Sequence, residues 1–509
     1  MSAPSSPRVA VAAPNALAAQ AGVDVVHLGG TAVDAAVAAL MVTYVTEPGI
    51  VSALGSAYVN VWPVGGDPVV YDGNTEMPGR GLPKARFGGG LRELRLDYGG
   101  GITVYAGAGS AGTPGSLAAF DLARRDHGAA PWKDVLDPAI DAARRGFRIG
   151  AAAGSYLQLV GRTLYAFDPV TRAQHFDGDE PVGPGTLMTS PDLVDTFERI
   201  ARDGVGTLYG GELGQAVADH VQREGGLITR ADLAAYTAVA RPATRATLRD
   251  WDVATNPPPS IGGPVLTAML RLLRDRGLSP ADVIEVQRQV LAYRSTRLDR
   301  AHDLKQAGRE LLETLETAGL ESLPTSTDTA HVSVVDANGM ACAITTSAGY
   351  SSGVTVPGTG LILNNCLGEP ELNRLGLHAL PPGTRLASNM APTTARHQDG
   401  STLAIGSPGA DRITTALMQV MSRFALSTTG IQEAIDAPRL HVQAGGDELV
   451  VDHEPDPRIT AAIVATGGHG VQHEAHAMYF GGVGVAWRDA HGDLQAGADP
   501  RRAAATAIG

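Results

Sequence analysis

The stretch TAHVSVVDANGMACAITTS, residues 329–347, decides the fold of this chain. Its residues alternate in a β-rich pattern on both sides of Asn338-Gly339, a dipeptide typical of tight hairpin turns, so the stretch predicts two antiparallel strands. The five residues before it, PTSTD (324–328), are small, polar and turn-prone, and they predict an exposed linker. Thr329 therefore stands where a linker meets a core strand.

The residues outward from this hairpin alternate between helical and strand-like patterns. TAVDAAVAALMVTYV (31–45) predicts an alanine-rich helix with Thr31 as its N-cap. Pro131 and Pro138 are expected near helix starts. Helical patterns also occupy residues 114–150, 186–225 and 265–320, residues 406–424 read as a glycine-containing loop that runs into a helix, and strands are expected at 57–71 and 354–364. This mixture predicts an α/β layered architecture.

Composition and charge limit the partners of the protein. The 509 residues carry a formal net charge of −13 with no basic block to offset it, so neither nucleic acid nor a membrane surface is an expected partner. The two cysteines, Cys342 and Cys366, cannot form a disulfide framework. The first residues lack a basic region followed by a long apolar run, so we expect a soluble, cytoplasmic protein.

Thr329 is placed where a threonine can become a nucleophile. A threonine hydroxyl needs a base, and at a chain terminus its own α-amine, with a pKa near ~8, serves as that base. An internal threonine becomes terminal when its hydroxyl attacks the preceding carbonyl and the ester hydrolyses. The alternative is an ordinary β-branched residue at a strand start.

Gly409-Ala410, at the start of a helix, offers backbone N–H groups to a developing oxyanion, although a plain loop has the same pattern.

Several motifs, in order along nearly the whole chain, resemble the gamma-glutamyltranspeptidase family of N-terminal-nucleophile hydrolases. They are GVDVVHLGGTAVDAAVAALMV (22–42), GTPGS (112–116), NPPPSIGG (256–263), TAHVSVVDANG (329–339), VPGTGLILNN (356–365), SNMAPT (388–393), GSPGADRI (406–413) and ADPRR (498–502). The resemblance implies a four-layer αββα sandwich. It also implies cleavage into a large piece, 1–328, and a small piece, 329–509.

The resemblance assigns roles to matching residues. Thr329 matches the threonine that becomes the new N-terminus, and Ser347 the second hydroxyl that hydrogen-bonds it. Gly409 and Ala410 match the glycine pair of the oxyanion hole. Four further residues match family positions that contact the substrate. Glu369 matches an aspartate that binds the α-amine, and Ser388 and Asn389 match two serines that bind the α-carboxylate. Arg501 matches the arginine of the C-terminal DPR segment.

Three departures from the family pattern concern the substrate. Thr75 stands where the family has an arginine that grips the glutamyl carboxylate, and Arg80 is a candidate substitute. Gly349 replaces an asparagine near the nucleophile, and Cys366 replaces a polar residue. The catalytic groups are therefore retained, while γ-glutamyl compounds are expected to be poor substrates.

The sequence thus predicts a self-processing amide hydrolase or acyltransferase that needs no metal and no cofactor. Its partners are a small amide or peptide-like substrate and the two fragments of its own chain, with a homo-oligomer possible. Three classes stay open: a γ-glutamyl hydrolase or transpeptidase, a relative with a changed substrate that cleaves an amide or a C–C bond in specialised metabolism, and an uncleaved, non-catalytic homologue.

Self-cleavage before Thr329 is the first testable prediction. Purified protein should run as two fragments on a denaturing gel, and Edman sequencing of the smaller one should start at Thr329. Thr329→Ala removes the attacking hydroxyl and should abolish both cleavage and turnover. Cleavage retained in this variant would contradict the assignment, and an intact, inactive wild-type band would support the non-catalytic class.

Overall fold

The structure is a computed structural model that describes residues 8–97, 101–314, 329–427, 429–443, 448–502 and 504–509. These residues form sixteen α-helices and 22 β-strands. The helices are α1 Ala16–His27, α2 Ala32–Thr46, α3 Ser116–His127, α4 Trp132–Arg145, α5 Ala151–Leu164, α6 Pro169–His175, α7 Pro191–Asp203, α8 Gly206–Tyr209, α9 Glu212–Arg223, α10 Arg230–Ala235, α11 Gly262–Arg276, α12 Pro280–Tyr293, α13 Leu304–Thr314, α14 Arg412–Leu426, α15 Ile431–Asp436 and α16 Pro457–Ala465. The strands are β1 Val9–Ala13, β2 Ser56–Trp62, β3 Val69–Gly73, β4 Arg92–Leu96, β5 Ile102–Ala106, β6 Phe147–Arg148, β7 Phe176–Asp177, β8 Glu180–Pro181, β9 Leu187–Met188, β10 Val239–Pro242, β11 Thr244–Leu248, β12 Trp251–Thr255, β13 Ala330–Asp336, β14 Ala341–Ser347, β15 Thr393–His397, β16 Thr402–Gly406, β17 Leu440–Val442, β18 Val450–His453, β19 His469–Gln472, β20 Gly484–Arg488, β21 Leu494–Ala498 and β22 Ala505–Ile508.

The predicted hairpin forms the centre of the first sheet. This sheet has seven antiparallel strands in the order β10-β3-β2-β14-β13-β1-β22. The turn between β13 and β14 has Gly339 at φ +87°, a conformation that favours glycine. Asp336 closes the turn, because its Oδ1 accepts the backbone N–H groups of Asn338 at 3.0 Å and Met340 at 3.1 Å.

The second sheet packs face to face against the first. Its six strands follow the order β11-β12-β15-β16-β20-β21. The layer between the sheets is built mainly of small side chains: Ala10, Ala254, Val335, Ala341, Ala343, Ala404 and Ala486, with Trp62 at one side. Small side chains let two aligned sheets approach closely, which buries the central strands on both faces.

Helices cover the two outer faces. The helices before β10 pack on the first sheet around one large apolar core, and α11, α12, α14 and α16 share a second apolar core with the second sheet. The layers therefore follow the predicted order α/β/β/α, and the expected four-layer sandwich is confirmed. Within the described ranges, none of the helices combines the length and the apolar character that crossing a bilayer requires.

The helix α2 begins as the sequence predicts. The Oγ1 atom of Thr31 accepts the N–H of Val33 at 3.2 Å, and the carboxylate of Asp34 accepts the N–H of Thr31 at 3.0 Å, which forms a capping box. All fifteen residues of α2 are buried, because the helix lies between the first sheet and the helices α1 and α4. Its small side chains make this close packing possible.

Two local predictions were wrong. Pro138 lies inside α4 and not at its start. Both Pro138 and Asp134 are half-buried, so water can donate to the Asp134 carbonyl oxygen in place of the missing proline N–H. Residues 354–364 form no strand among the described residues and make only the isolated bridge between Thr355 and Ile362. Gly358 at φ +70° and Gly360 at φ +66° turn the chain back too soon for a strand. The predicted linker 324–328 lies outside the described residues.

The second prediction tests the buried carboxylate that joins α2 to α3 and α4. Asp34 Oδ1 accepts Arg124 Nε at 3.0 Å, and its Oδ2 accepts the N–H groups of Ala129 at 2.7 Å and Ala130 at 3.0 Å. Asp34→Asn should lower the free energy of unfolding by about 3 kcal/mol or more, because Arg124 then keeps an uncompensated buried charge.

The urea midpoint, followed by circular dichroism, measures this loss. The matched control is Asp137→Asn, which removes an exposed partner of Lys133 on α4 and should leave the midpoint nearly unchanged. Equal midpoints for the two variants would contradict the prediction.

Candidate active site

Thr329 lies at the head of the central strand of the first sheet. It immediately precedes β13 and is 3 % exposed. In the hairpin, Ala330 pairs with Thr346. One residue further along the same register, Thr329 lies opposite Ser347, the last residue of β14. The second hydroxyl predicted to assist the nucleophile is therefore its cross-strand neighbour. Ser347 Oγ also accepts the N–H of Gly349 at 3.1 Å, which fixes its orientation.

Thr329 and Ser347 open onto a small cavity, called here the polar cavity. Five other residues predicted from the sequence line it with them, and hydroxyl and amide groups dominate its wall. The lining residues are Ser56, Asn74, Thr75, Thr329, Ser347, Cys366, Glu369, Leu372, Ala387, Ser388, Asn389 and Met390. Residues as far apart in the sequence as Ser56 and Met390 thus meet beside Thr329.

Gly349 borders the polar cavity from behind Glu369. It has φ +61°, and a Cβ atom at this position would lie 2.7 Å from Glu369 Oε1. Asparagine is the side chain that best tolerates this backbone region, which agrees with the asparagine expected at this position in the family. Glycine here leaves the Glu369 carboxylate room that a side chain would take.

Asn389 is oriented by an arginine that the sequence did not point to. Arg294, in a π-helical turn after α12, is fully buried, and its Nη2 donates to Asn389 Oδ1 at 2.7 Å. Arg294 Nε also pairs with Asp299 Oδ1 at 3.3 Å. The arginine therefore acts on the polar cavity through Asn389 and does not line the cavity itself.

No arginine, lysine or histidine of the described ranges lines the polar cavity. Arg80, the candidate substitute for the missing arginine, is held by two carboxylates, Glu76 Oε2 at 3.4 Å and Asp232 Oδ1 at 3.3 Å. Arg385 likewise pairs with Glu76 Oε1 at 3.3 Å and donates to the carbonyl oxygen of Asn74 at 2.8 Å. Both cations are thus committed to structural partners.

Arg501 does not join this group, and its predicted contact with substrate is not supported. Its guanidinium is fully buried and forms ion pairs with Glu454 and, at 3.2 Å, with Asp499 Oδ1. It also donates to the carbonyl oxygens of Ile435 at 2.8 Å and Ala437 at 3.0 Å. The DPR segment therefore ties the C-terminal region to α15, a structural role.

The thiol of Cys366 is not set up as a nucleophile. Burial, aided by the charge of Glu369, raises the pKa of the Cys366 thiol to about 12, so it stays protonated at neutral pH.

Ser56 and Asn74 also line the polar cavity, and sequence reasoning missed both. The signal for Ser56 was its place at the start of β2, which pairs with Ser347 at the end of β14.

The predicted oxyanion donors lie between β16 and α14. Neither backbone N–H, of Gly409 or of Ala410, donates a hydrogen bond within the described part of the chain. The preceding residue, Pro408, lines a cavity together with Thr329. Both residues adopt positive φ, +121° for Gly409 and +60° for Ala410, and the second is costly for a residue with a Cβ atom.

A second cavity, called here the rear cavity, contacts Thr329 from the β1 side. Its wall includes Pro14, Glu47, Thr329, His331 and Arg502. His331 is buried between two hydroxyls, Thr345 Oγ1 at 2.9 Å from Nδ1 and Ser333 Oγ at 2.7 Å from Nε2. Burial lowers the pKa of His331 to about 3, so this ring is neutral. The sequence alone pointed to neither His331 nor Glu47.

Known proteins resemble this chain over most of its length. The sequence model of the gamma-glutamyltranspeptidase family matches residues 18–316 and 286–509. The acylase ACY 1 proenzyme of Pseudomonas sp. (strain SE83) is 31 % identical over 487 residues, which covers 89 % of this chain and 86 % of that protein. The glutathione hydrolase proenzyme of Escherichia coli (strain K12) is 29 % identical over 500 residues, 90 % and 85 % of the two chains. The crystal structure of a cephalosporin acylase from Bacillus halodurans shares the fold, with a TM-score of 0.78, 23 % identity and coverage of 99 % and 96 %.

The third prediction concerns Ala410. Ala410→Gly removes the Cβ atom that opposes φ +60° and should raise the free energy of unfolding by about 1 kcal/mol. It keeps the backbone N–H, so turnover should be retained. Ala410→Val, with a branched side chain in the same conformation, should lower both stability and turnover. Melting temperature and turnover measured on the three proteins decide this, and a destabilised glycine variant would contradict it.

Proposed function

The chain belongs to the gamma-glutamyltranspeptidase family, and from this membership we propose that Thr329 is the nucleophile of an enzyme whose substrate is not a γ-glutamyl amide. The enzyme is a self-processing hydrolase or acyltransferase of the N-terminal-nucleophile type. Processing gives two fragments of one chain, and we propose that they are residues 1–328 and 329–509.

The reaction follows from the groups around Thr329. Its freed α-amine takes the proton of its own hydroxyl, and the oxygen attacks the carbonyl of the bound amide. The N–H groups of Gly409 and Ala410 hold the oxyanion, while the Ser347 hydroxyl aligns the nucleophile. The amine product leaves with the proton, and water or a second amine then takes the acyl group from Thr329. The cross-strand position of Ser347 supports its role, and the N–H groups that follow Pro408, unpaired among the described residues, support the role of the oxyanion donors.

The absence of a lining cation carries the proposal about the acyl group. A glutamyl carboxylate placed beside Thr75 would have no arginine, lysine or histidine among the described residues that line the polar cavity. A charge-assisted contact to such a carboxylate is worth ~1.5–3 kcal/mol, and burying the charge without one costs more. Glu369, in contrast, is in place to bind an amine. The cavity therefore suits an acyl group with an amine and without a carboxylate.

A larger apolar cavity adjoins the polar cavity and indicates what replaces the carboxylate. Leu372 and Ala387 line both cavities. The apolar cavity has a volume of about 380 Å³, against about 20 Å³ for the polar one. Apolar groups, among them the side chains of Ile261, Leu298 and Leu380, make up most of its wall. The charged side chains of Lys305, Arg374 and Arg385 also line it, farther from Thr329 than the polar cavity. We propose that the acyl group carries an apolar extension that passes from the polar cavity into this space.

The names of the relatives indicate that the acyl group of the substrate varies within the family. One relative of this chain is named an acylase and another a glutathione hydrolase, at nearly equal identity to this chain. Membership therefore fixes the nucleophile chemistry and leaves the acyl group to the residues of the polar cavity. In this chain those residues are Thr75, Cys366 and Asn389 in place of the family's usual side chains.

The fourth prediction compares three anilides that share the reacting carbonyl and the amine. The first is γ-glutamyl anilide, and in the other two a methyl or a benzyl group replaces its α-carboxylate. We expect kcat/KM to rise from the glutamyl to the methyl to the benzyl compound, by about tenfold or more overall, because the carboxylate lacks a cation and the benzyl group has an apolar cavity to enter.

Thr75→Arg tests the same point from the protein side. It should raise kcat/KM for the glutamyl anilide by about tenfold or more, and it should not raise kcat/KM for the methyl compound, which is the matched control. Wild-type protein that prefers the glutamyl anilide over both analogues would show that another group holds the carboxylate, and the proposal would then be wrong.

A further inference from the structure

Self-cleavage raises a chemical problem that the mature enzyme does not have. Before cleavage the nitrogen of Thr329 is part of a peptide bond, so it is an amide and not a base. The α-amine that activates the hydroxyl in the mature enzyme does not yet exist. Another group must take the hydroxyl proton when Thr329 attacks the preceding carbonyl. The two cavities that contact Thr329 contain the candidates.

Most titratable side chains of these cavities are unsuited to the task. Cys366 is a thiol with a pKa raised to about 12 by burial, so almost none of it is thiolate at neutral pH. Both ring nitrogens of His331 are engaged with hydroxyls, and its lowered pKa makes it a weak base. Arg502 is a cation and cannot accept a proton. Within the described lining residues, two carboxylates remain, Glu47 and Glu369.

Glu47 is buried beside the start of β13. It follows the last residue of α2, is 4 % exposed, and its Oε1 accepts Asn15 Nδ2 at 2.8 Å. The antiparallel pairing of β1 with β13 places Ala12 opposite Ser333. If this register is extended by three residues toward the start of β13, Asn15 lies opposite Ala330. The residue that holds Glu47 thus lies level with the neighbour of Thr329, which explains why Glu47 and Thr329 line one cavity.

The surroundings of Glu47 tune its proton affinity to the neutral range. Burial raises the pKa of Glu47 to about 7, and the hydrogen bond from Asn15 opposes part of this rise. The titratable and charged groups that face it across the rear cavity are His331 on β13 and Arg502 near the C-terminus, and neither contributes to the shift. A carboxyl group with this pKa both accepts and returns a proton at neutral pH.

We propose that Glu47 is the general base of self-cleavage, a step that the mature enzyme no longer needs. Its carboxylate takes the proton of the Thr329 hydroxyl as Oγ1 bonds to the preceding carbonyl carbon. It then gives this proton to the Thr329 nitrogen as the C–N bond breaks, which leaves an ester and a free amine. Water hydrolyses the ester to a carboxylic acid and the hydroxyl. This inference rests on the proposed nucleophile, Thr329.

Glu369 is the competing carboxylate and provides the matched control. It lies in the polar cavity, on the opposite side of Thr329 from Glu47, and it is proposed to bind the amine of the substrate. The two glutamates therefore predict opposite losses. Removing the charge of Glu47 should slow cleavage, and removing the charge of Glu369 should lower turnover in protein that has been cleaved normally.

The experiment follows the conversion of freshly purified full-length protein into two fragments on denaturing gels at a series of pH values. The rate of wild-type cleavage should rise with increasing pH, with a midpoint at about pH 7, and then level off, since the base must be ionised. Glu47→Gln should cleave about a hundredfold more slowly and without this rise. Glu369→Gln should cleave as the wild type does and then turn over substrate poorly.

A second variant guards against misfolding of Glu47→Gln, which melting temperatures will reveal. Asn15→Ser keeps a good N-cap for α1 but removes the amide donor to Glu47, so the pKa of Glu47 should rise and the midpoint of the cleavage profile should move to higher pH. A wild-type rate and profile in folded Glu47→Gln, or an unmoved midpoint in Asn15→Ser, would overturn the assignment. Wild-type protein that never cleaves would instead contradict the proposed nucleophile.

Discussion

The close approach of two sheets across a layer of alanine side chains is the constraint on which the rest of the structure depends. Because Ala10, Ala343, Ala404 and Ala486 contribute only methyl groups to this layer, β13 is buried by the second sheet on one face and by helices on the other. Hydrogen bonds to β14 and β1 hold both of its edges. A residue at the start of such a strand has a fixed position, which a nucleophile requires.

The antiparallel order explains how distant segments meet at Thr329. In antiparallel neighbours the start of one strand lies beside the end of the next. The edge of the first sheet that carries Thr329 therefore also carries the end of β14, the start of β2 and the turn after β3, which supply Ser347, Ser56 and Thr75. The second sheet adds the segments before β15 and after β16, with Ser388 and Gly409. The side chains that line the polar cavity thus lie on loops or at strand ends around Thr329.

Sequence reasoning succeeded where the signal was local. The alternation around Asn338-Gly339 and the cap at Thr31 are properties of a few adjacent residues, and the structure confirms both. It failed at Pro138 and at residues 354–364, where tertiary contacts and glycines with positive φ decide the conformation. Motif position alone did not separate Arg501, which is buried in ion pairs, from residues of the polar cavity. Nothing local marked Glu47 or Arg294, because the asparagine that each of them contacts lies far away in the sequence.

In the chemistry proposed for it, Thr329 carries out two reactions, and it lines two different cavities. The attack on its own chain occurs without a free amine, so its base must come from the fold, and the rear cavity provides a buried carboxyl on the β1 side. The attack on substrate has the amine and needs instead a cavity that selects an acyl group, which lies on the β14 side. The separation lets the substrate-binding residues change without loss of maturation. Thr75, Cys366 and Asn389 all line the polar cavity and not the rear cavity, so under this proposal they can differ from the family's side chains while the nucleophile is kept.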